Sequence, residues 1–272
     1  MAGLLFVNPR SGSAEPSVDT LASEARGRGV EVRVLRQGED VAELARAADA
    51  AALGMAGGDG SLAAVAATAL ERDVPFVAIP YGTRNHFARD LGLDRDDPLA
   101  ALDAFGGEER RVDVGRVGER LFLNNVSLGL YARLVHRRER HRRRREALAR
   151  LRALAILARH PRPLDVTVDG APLSARVVLV ANNAYRLDPL SPGERERLDD
   201  GLLHLYASSG IFRGGWRERT GTRFVVDARH HRLRAAVDGE PATFETPLEF
   251  SIEPAALRVL VPPGTGAQDG SP

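Results

Sequence analysis

The first hundred residues alternate between short apolar runs and longer segments whose apolar residues recur at helical spacing. Strands that alternate with helices in this way are typical of a parallel sheet with right-handed crossovers. The predicted strands are Leu4–Val7, Val30–Leu35, Ala52–Met55 and Phe76–Ile79, and the predicted helices are Glu15–Arg28, Val41–Ala50 and Ser61–Glu71.

The pattern changes after Gly107, because apolar residues there mostly come in short runs separated by turn signals. Such runs favour antiparallel strands and a β-rich, sandwich-like domain. The predicted strands are Arg111–Val117, Arg120–Leu128, Leu164–Val168, Leu173–Ala181, Leu202–Ala207, Arg223–Ala228, Leu233–Val237, Leu248–Ile252 and Leu257–Val261.

The two patterns predict an α/β protein with an N-terminal parallel α/β domain over residues 1–115 and a β-rich domain over residues 116–252. The 272 residues exceed what one small core needs. Residues 264–272 are small and polar, so we expect a disordered tail there.

Composition excludes several classes of function. The chain has no cysteine, which removes disulfides, thiolate metal sites and cysteine nucleophiles and fits a cytoplasmic protein. No signal peptide or membrane-spanning apolar run is evident. All 38 basic residues are arginine, and P-loop kinases and protein kinases both need a lysine, so neither mechanism operates here in its standard form. Any bound phosphate must be held by backbone amides, arginine or metal.

Three polar, glycine-containing loops follow three of the predicted parallel strands: Asn8–Gly12, Gly57–Ser61 and Pro80–Gly92. Ligands of parallel sheets bind at the carboxyl ends of the strands, and glycine next to a helix start lets backbone amides approach a phosphate. One such turn is ordinary turn chemistry, whereas three predict a phosphate site. Asp59 stands among the glycines, which indicates a cation between its carboxylate and the phosphate.

The ordered motifs resemble the diacylglycerol kinase catalytic-domain family, which includes bacterial lipid kinases and sphingosine kinases. The resemblance implies an ATP- and Mg²⁺-dependent lipid kinase, with the active site in a cleft between two domains and with residues 253–263 returning to the first, nucleotide-binding domain. The matching motifs are Asn8–Gly12, Gly57–Ser61, Pro80–Gly92, Asp113–Gly115, Asn124–Gly129, Asp200–Leu202 and Asp238–Glu240.

The resemblance also implies roles for individual residues. Glu240 would be the general base that takes the proton of a lipid hydroxyl, and Asp59 would organise the active-site magnesium. Asp200 would bind a structural magnesium with the backbone carbonyls of Arg197 and Leu202. The residues expected to contact ATP are Asn8, Arg10, Ser11, Gly12, Gly57, Gly58, Gly60, Ser61, Thr83 and Asn85.

The sequence departs from the family pattern at two places where carboxylates are expected, because His86 and Ala64 stand there instead. A magnesium site that loses a carboxylate binds its ion more weakly. Asp90 lies four residues after His86 and so on the same face of a predicted helix, which suggests Asp90 as the replacement acid.

Two alternatives remain open. NAD kinases share the Gly-Gly-Asp-Gly motif, although the Pro80–Gly92 segment resembles the lipid kinases. A lipid-binding protein that has lost catalysis is the other, because His86 and Ala64 weaken the expected metal site.

The segment from His136 to Arg152 is strongly basic, with nine arginines against two glutamates, and it predicts a helix with an apolar face. Such a run is often only a solvated surface. It could also lie against anionic lipid, which would place the protein at the membrane periphery. Nucleic acid is disfavoured, because the run has no interleaved aromatic residues and the rest of the chain is acidic.

Overall fold

The computed structural model describes residues 3–11, 15–129, 163–188, 191–192, 194–208, 216–229 and 231–265. The chain forms two compact units. Unit 1 comprises Met1–Val114, Glu194–Asp199 and Pro254–Pro272, and unit 2 comprises Gly115–Gly193 and Asp200–Glu253. The sequence-based boundaries assign residues 194–199 to the β-rich domain, whereas in the structure Glu194–Asp199 belongs to unit 1. The predicted arginine-rich helix over residues 136–152 lies outside the described residues.

Unit 1 contains the parallel sheet that the alternating pattern predicts. Its strand order is β2-β1-β3-β4-β18, and all four neighbouring pairs are parallel. The strands are β1 Gly3–Val7, β2 Glu31–Val34, β3 Ala52–Gly57, β4 Phe76–Pro80 and the last part of β18, Leu248–Val261. The helices are α1 Val18–Gly27, α2 Val41–Ala47, α3 Asp59–Glu71 and α4 His86–Asp90, with a 3₁₀ helix at Ala100–Gly106.

Continuous apolar sequence marks the inner strands of this sheet, because parallel strands are covered on both faces. Every residue of β1, β3 and β4 is buried, whereas the edge strand β2 is largely exposed. Phe105 packs against the sheet so closely that a Cβ on Gly3 or Gly54 would lie 2.5 Å from its ring. Glycine at these two strand positions is therefore explained by the aromatic side chain above them.

Unit 2 is the predicted β-rich region, and its two antiparallel groups of strands share one hydrophobic core. One group contains β18, β15, β8 and β9 in that order, with β5 and β6 attached, and the other has the order β14-β13-β10-β7-β16-β17. The strands are β5 Glu108–Val117, β6 Arg120–Phe122, β7 Asn125–Gly129, β8 Leu164–Val168, β9 Ala171–Ala175, β10 Val177–Asn182, β13 Leu203–Ser208, β14 Arg217–Gly221, β15 Arg223–Ala228, β16 Arg232–Val237 and β17 Glu240–Glu245, besides a separate pair of two-residue strands, β11 Leu187–Asp188 and β12 Ser191–Pro192.

Strand β18 differs from the prediction of two separate strands, because its 14 residues run without a break. Ala255 in its middle has a left-handed backbone, with φ of 48°. The buried Asp113 carboxylate accepts a hydrogen bond from the Ala255 amide at 2.7 Å. The interruption of the apolar pattern at Pro254–Ala256 therefore reflects a local distortion rather than the end of a strand.

Other strands also differ from the sequence-based prediction. β14 and β17 have no continuous apolar run, since their residues are mostly exposed or half-buried, and neither strand is predicted. The predicted strands Arg120–Leu128 and Leu173–Ala181 are each two strands, interrupted near Leu123 and Arg176. Within the residues described, no helix is both long enough and apolar enough to cross a bilayer.

Candidate active site

The three polar loops of unit 1 meet at the carboxyl end of its sheet. The Asn8 amide donates to the Ala56 carbonyl at 3.0 Å, and the Asn8 side chain donates to the Ser61 hydroxyl at 3.5 Å. The Asn8 Oδ1 atom in turn accepts the Arg10 amide at 3.1 Å, which shapes the first loop. The structure therefore brings the first and second loops together through named backbone and side-chain contacts.

The second and third loops approach each other through two glycines. A Cβ on Gly82 would lie 2.5 Å from the Cα of Gly58, so no side chain fits there. A Cβ on Gly58, by contrast, would meet nothing closer than 4.0 Å. Gly82 is thus needed for packing, whereas at Gly58 a side-chain carbon would make only an ordinary contact with Gly82. Backbone amides beside glycine at the start of a helix are groups that commonly bind phosphate.

Helix α3 begins at Asp59, two residues earlier than predicted, and Gly58 is its N-cap. The first amides of a helix have no partner within the helix, and no side chain caps this end. Gly60 and Ser61 therefore lie in a first turn whose dipole favours an anion. This turn is part of the same loop cluster, so the predicted phosphate-binding glycines occupy a suitable place.

Asp59 itself is occupied mainly with the start of helix α4. Its buried carboxylate accepts the Phe87 amide at 3.1 Å and the His86 amide at 3.4 Å. The preceding Asn85 has φ of 49°, and its side chain accepts the Gly82 amide at 2.8 Å and donates to the Gly82 carbonyl at 3.0 Å. Asp59 and Asn85 thus hold the third loop in place.

His86 and Asp90, at the two ends of α4, differ sharply in environment. Burial lowers the pKa of the half-buried His86, and Arg89 and Arg84 act in the same direction, against the opposing carboxylates of Asp59 and Asp90. Asp90 is fully buried, with Arg195 at 2.7 Å from one oxygen and Arg89 at 2.7 Å from the other. Each carboxylate oxygen of Asp90 therefore contacts an arginine, and this geometry does not support Asp90 as a replacement metal ligand.

The predicted metal ligands do not form a carboxylate cluster. Among the described residues, no three His, Asp or Glu side chains are grouped so that they could hold a metal ion. The Asp200 amide donates to the Asn183 side chain at 3.1 Å, and the Leu202 carbonyl accepts the Asn183 amide at 3.1 Å. Asp200 and Leu202 belong to unit 2 and Arg197 to unit 1. A structural magnesium at these residues stays a prediction.

The two Val-Asp-Gly sequences, at residues 168–170 and 237–239, both form tight turns, with positive φ at each Asp and Gly. Val168 pairs with Ala171 across the first turn, and Val237 pairs with Glu240 across the second. Two-residue hairpins of this kind match the twist of the strands that they join. Glu240 is therefore the first residue of β17, where it is exposed and lies 3.6 Å from Arg120.

The aspartates of these turns differ in a way that the sequence does not reveal. Asp238 is buried and accepts the amides of Leu123, Asn124 and Asn125 at 2.8, 2.8 and 3.0 Å. Asp169 is near the surface, where it accepts the Val225 amide. Asp238 thus fixes the turn before Glu240 to the end of another strand, a role that sequence reasoning missed.

The other residues predicted to contact the nucleotide lie on the same three loops or at the end of β3. Arg10 and Thr83 are exposed on the first and third loops, and Ser11 is half-buried, with its amide donating to the Asn8 carbonyl at 3.1 Å. Gly57 ends β3 and precedes α3. Gly12 lies outside the described residues. Arg195, which no sequence pattern singles out, contacts the third loop through Asp90.

Comparison with known proteins agrees with this geometry. Residues 2–117 match the family model of the diacylglycerol kinase catalytic domain. A Pseudomonas aeruginosa protein named "Probable lipid kinase YegS-like" is 29% identical, and the match covers 96% of this chain and 94% of that one. A Mycobacterium tuberculosis protein named diacylglycerol kinase is 28% identical, with 94% of each chain covered.

Solved structures support the fold. The crystal structure of a diacylglycerol kinase from Bacillus anthracis superposes with a TM-score of 0.70, covering 96% of each chain at 18% identity. This likeness confirms the predicted fold class, with a parallel α/β part and a β-rich part. The family match over residues 2–117 and the relatives together support the diacylglycerol kinase catalytic-domain family that the loop motifs indicate.

Proposed function

We propose that this protein is an ATP-dependent lipid kinase that transfers the γ-phosphate to a lipid hydroxyl such as that of diacylglycerol. The observation that carries the proposal is the meeting of three loops next to the start of α3, through the Asn8–Ser61 contact and the close approach of Gly82 to Gly58. The names of the relatives, lipid kinase and diacylglycerol kinase, support a lipid as the phosphate acceptor.

In this proposal the chain holds the phosphates without lysine. Amides at the start of α3 and in the loop after β1 would donate to phosphate oxygens, and Arg10 and Thr83 would add exposed donors. Phosphoryl transfer depends mostly on positioning and electrostatic stabilisation, so a rigid set of donors suffices. The fixed positions of Asn8, Asn85 and Asp59 supply that rigidity.

Magnesium would be held chiefly by the nucleotide. In protein sites Mg²⁺ is commonly bound by one or two carboxylates together with substrate phosphates and water. Asp59 is the single carboxylate at these loops before Asp90, because Ala64 and His86 stand where the family has further polar groups. Its two oxygens already accept amide donors, yet a carboxylate has lone pairs for further contacts. The residues therefore fit a weakly held magnesium, whose charge would stabilise the transferring phosphoryl group.

Glu240 would act as the general base. Its carboxylate would take the proton of the lipid hydroxyl while that oxygen attacks the γ-phosphorus, and ADP would leave with the electrons of the broken bond. The exposed position at the start of β17 suits contact with a substrate. The turn held by Asp238 would keep the Glu240 backbone in place.

The test is phosphorylation of a total lipid extract with labelled ATP. We expect Glu240→Gln to reduce turnover by about 10²–10⁴-fold, which is the usual contribution of a general base. Glu245→Gln, at the far end of the same strand, is the matched control and should retain activity. Wild-type turnover in the Glu240→Gln variant would contradict the proposed mechanism.

A catalytically impaired lipid-binding protein is the second candidate, and the carboxylate-poor surroundings of Asp59 favour it. In that case the wild type would bind anionic vesicles without consuming ATP. The membrane contact expected for residues 136–152 belongs to the same experiment, because an arginine-rich surface should bind vesicles more weakly as salt increases. Phosphorylation of NAD rather than lipid would instead identify an NAD kinase.

A further inference from the structure

The last residue of helix α4 forms an ion pair that is completely removed from solvent. Arg195 donates from Nε to one oxygen of Asp90 at 2.7 Å, and neither side chain has any exposed surface. Arg89 donates to the other oxygen from Nη2 at 2.7 Å and from Nε at 2.9 Å. The Asp90 carboxylate thus lies between two guanidinium groups.

Such a pair is rarely the most stable way to fill a protein interior. The desolvation of two charges offsets much of their attraction, and replacing both partners by apolar residues is often neutral or stabilising. Removing one partner is costly, because it leaves a buried charge alone. The best-attested use of a buried polar pair is to specify one arrangement among several.

The arrangement that Arg195 specifies joins a distant segment to α4. Glu194–Asp199 belongs to unit 1 although the residues on both sides belong to unit 2. This segment is fixed a second time, since the buried Leu198 accepts the Asp113 amide at its carbonyl at 2.7 Å. Arg195 therefore holds α4 from a segment that is itself anchored.

Helix α4 depends on such contacts because it has only 5 residues. A helix of this length is not stable by itself. Its first amides donate to Asp59, and its last side chain accepts from Arg195. One end of α4 is thereby tied to the glycine loop and the other to the 194–199 segment.

We propose that Arg195 is a positioning residue for the nucleotide site. By holding Asp90 it fixes α4, and α4 in turn fixes the Asp59 carboxylate and the loop that carries Asn85. This inference rests on the proposed function, since it assigns Arg195 a part in ATP binding. Loss of Arg195 should weaken contacts made in the ground state and the transition state alike, and so raise KM for ATP more than it lowers kcat.

The experiment compares three variants of the full chain. Arg195→Met leaves Asp90 with a single arginine. The double variant Asp90→Leu with Arg195→Met removes both charges of that pair and leaves the partly exposed Arg89 with Glu194 at 3.7 Å. Arg223→Met is the control, because it breaks an exposed ion pair with Glu249 in unit 2. The measurements are unfolding in urea, hydrogen exchange at the Phe87 amide, and KM for ATP in the lipid assay.

We expect the Phe87 amide to exchange about tenfold faster in Arg195→Met and KM for ATP to rise by about tenfold, because small displacements of positioning groups weaken binding and catalysis. The double variant should recover stability while exchange and KM stay perturbed. Arg195→Lys, which keeps the charge, should bring both the exchange rate of the Phe87 amide and the KM for ATP part of the way back to the wild-type values. Full recovery of exchange and KM in the double variant would show that the pair is only structural.

The two proposals fail in different ways. If the wild type does not phosphorylate any lipid, the kinase proposal fails, and exchange at Phe87 still reports whether Arg195 holds α4. If the wild type is active but Arg195→Met leaves exchange and KM unchanged, the positioning role is wrong and the kinase function stands. Should Arg195→Met not fold, the double variant and Arg195→Lys provide the same comparison.

Discussion

Removing the Asp238 carboxylate should destabilise unit 2 far more than the same change at Asp169. Each residue is the first of the two turn residues in a Val-Asp-Gly sequence, and the backbone angles are nearly equal, with φ of 48° at Asp238 and 52° at Asp169. Alanine at either position therefore meets the same backbone strain, and that cost cancels in the comparison. The remaining difference comes from hydrogen bonds.

The magnitude follows from the number of donors left without an acceptor. Asp238→Ala strands three backbone amides, those of Leu123, Asn124 and Asn125. Each buried group without a partner costs about 1–3 kcal/mol, so the total for three is about 3–9 kcal/mol. Asp169→Ala loses one amide contact near the surface and an exposed ion pair with Arg219, which together are worth about 1–2 kcal/mol.

Urea unfolding followed by tryptophan fluorescence measures this difference. Trp216 is the single tryptophan of the chain and belongs to unit 2, as do both aspartates. A difference of about 3 kcal/mol shifts the urea midpoint by about 1–3 M at typical m-values. Equal midpoints for the two alanine variants would refute the view that Asp238 organises the turn before Glu240.

Three further outcomes are expected in unit 1. Gly82→Ala should destabilise the chain, because its Cβ would lie 2.5 Å from Gly58, whereas Gly106→Ala, which meets nothing within 4 Å, is the control; equal urea midpoints for the two would contradict the close approach. Gly58→Ala should leave stability nearly unchanged, because its methyl group meets Gly82 only at an ordinary contact distance. It should reduce ATP affinity by about tenfold or more, because the methyl group would stand where the phosphate is proposed to bind, and unaltered binding by calorimetry would place the phosphate elsewhere. The pKa of His86 is lowered in the folded state, so the unfolded chain binds more protons between that pKa and about 6.5, and stability should fall as pH decreases through this window. His86→Gln should remove this part of the pH dependence, and an unchanged slope in unfolding measurements from pH 7 to 5 would show that His86 does not cause it.

Much of the fold of unit 1 could be predicted, because its strands and loops are set by short stretches of neighbouring residues. A buried parallel strand needs an unbroken apolar run, and β1, β3 and β4 all have one. The polar loop after each of these strands is equally visible, and parallel packing brings such loops to one edge. The convergence of Asn8, Gly58 and Gly82 therefore follows from sequence and is borne out by their contacts.

The parts that escaped prediction depend on contacts between distant residues. Strands β14 and β17 lack an apolar run, so only their pairing partners define them. Asp238 and Asp169 both stand in a Val-Asp-Gly sequence, and only their burial and their hydrogen bonds to distant residues distinguish them. Asp90 is predicted as the replacement acid of the metal site from its place on a helix face. The sequence does not reveal that Arg195, 105 positions away, donates to its carboxylate.

Strand β18 has a consequence for how the protein is made. Near its end, Val259 and Leu260 pair with Phe76 and Val77 of β4, so one side of β4 has no partner until the chain as far as Leu260 has left the ribosome. During that time β4 presents an unpaired edge, which is the feature that promotes wrong association between chains. A fragment that stops near residue 117, where the family match ends, would keep that edge open permanently. Fragments used to study the nucleotide site alone should therefore include the strand from Leu257 to Val261.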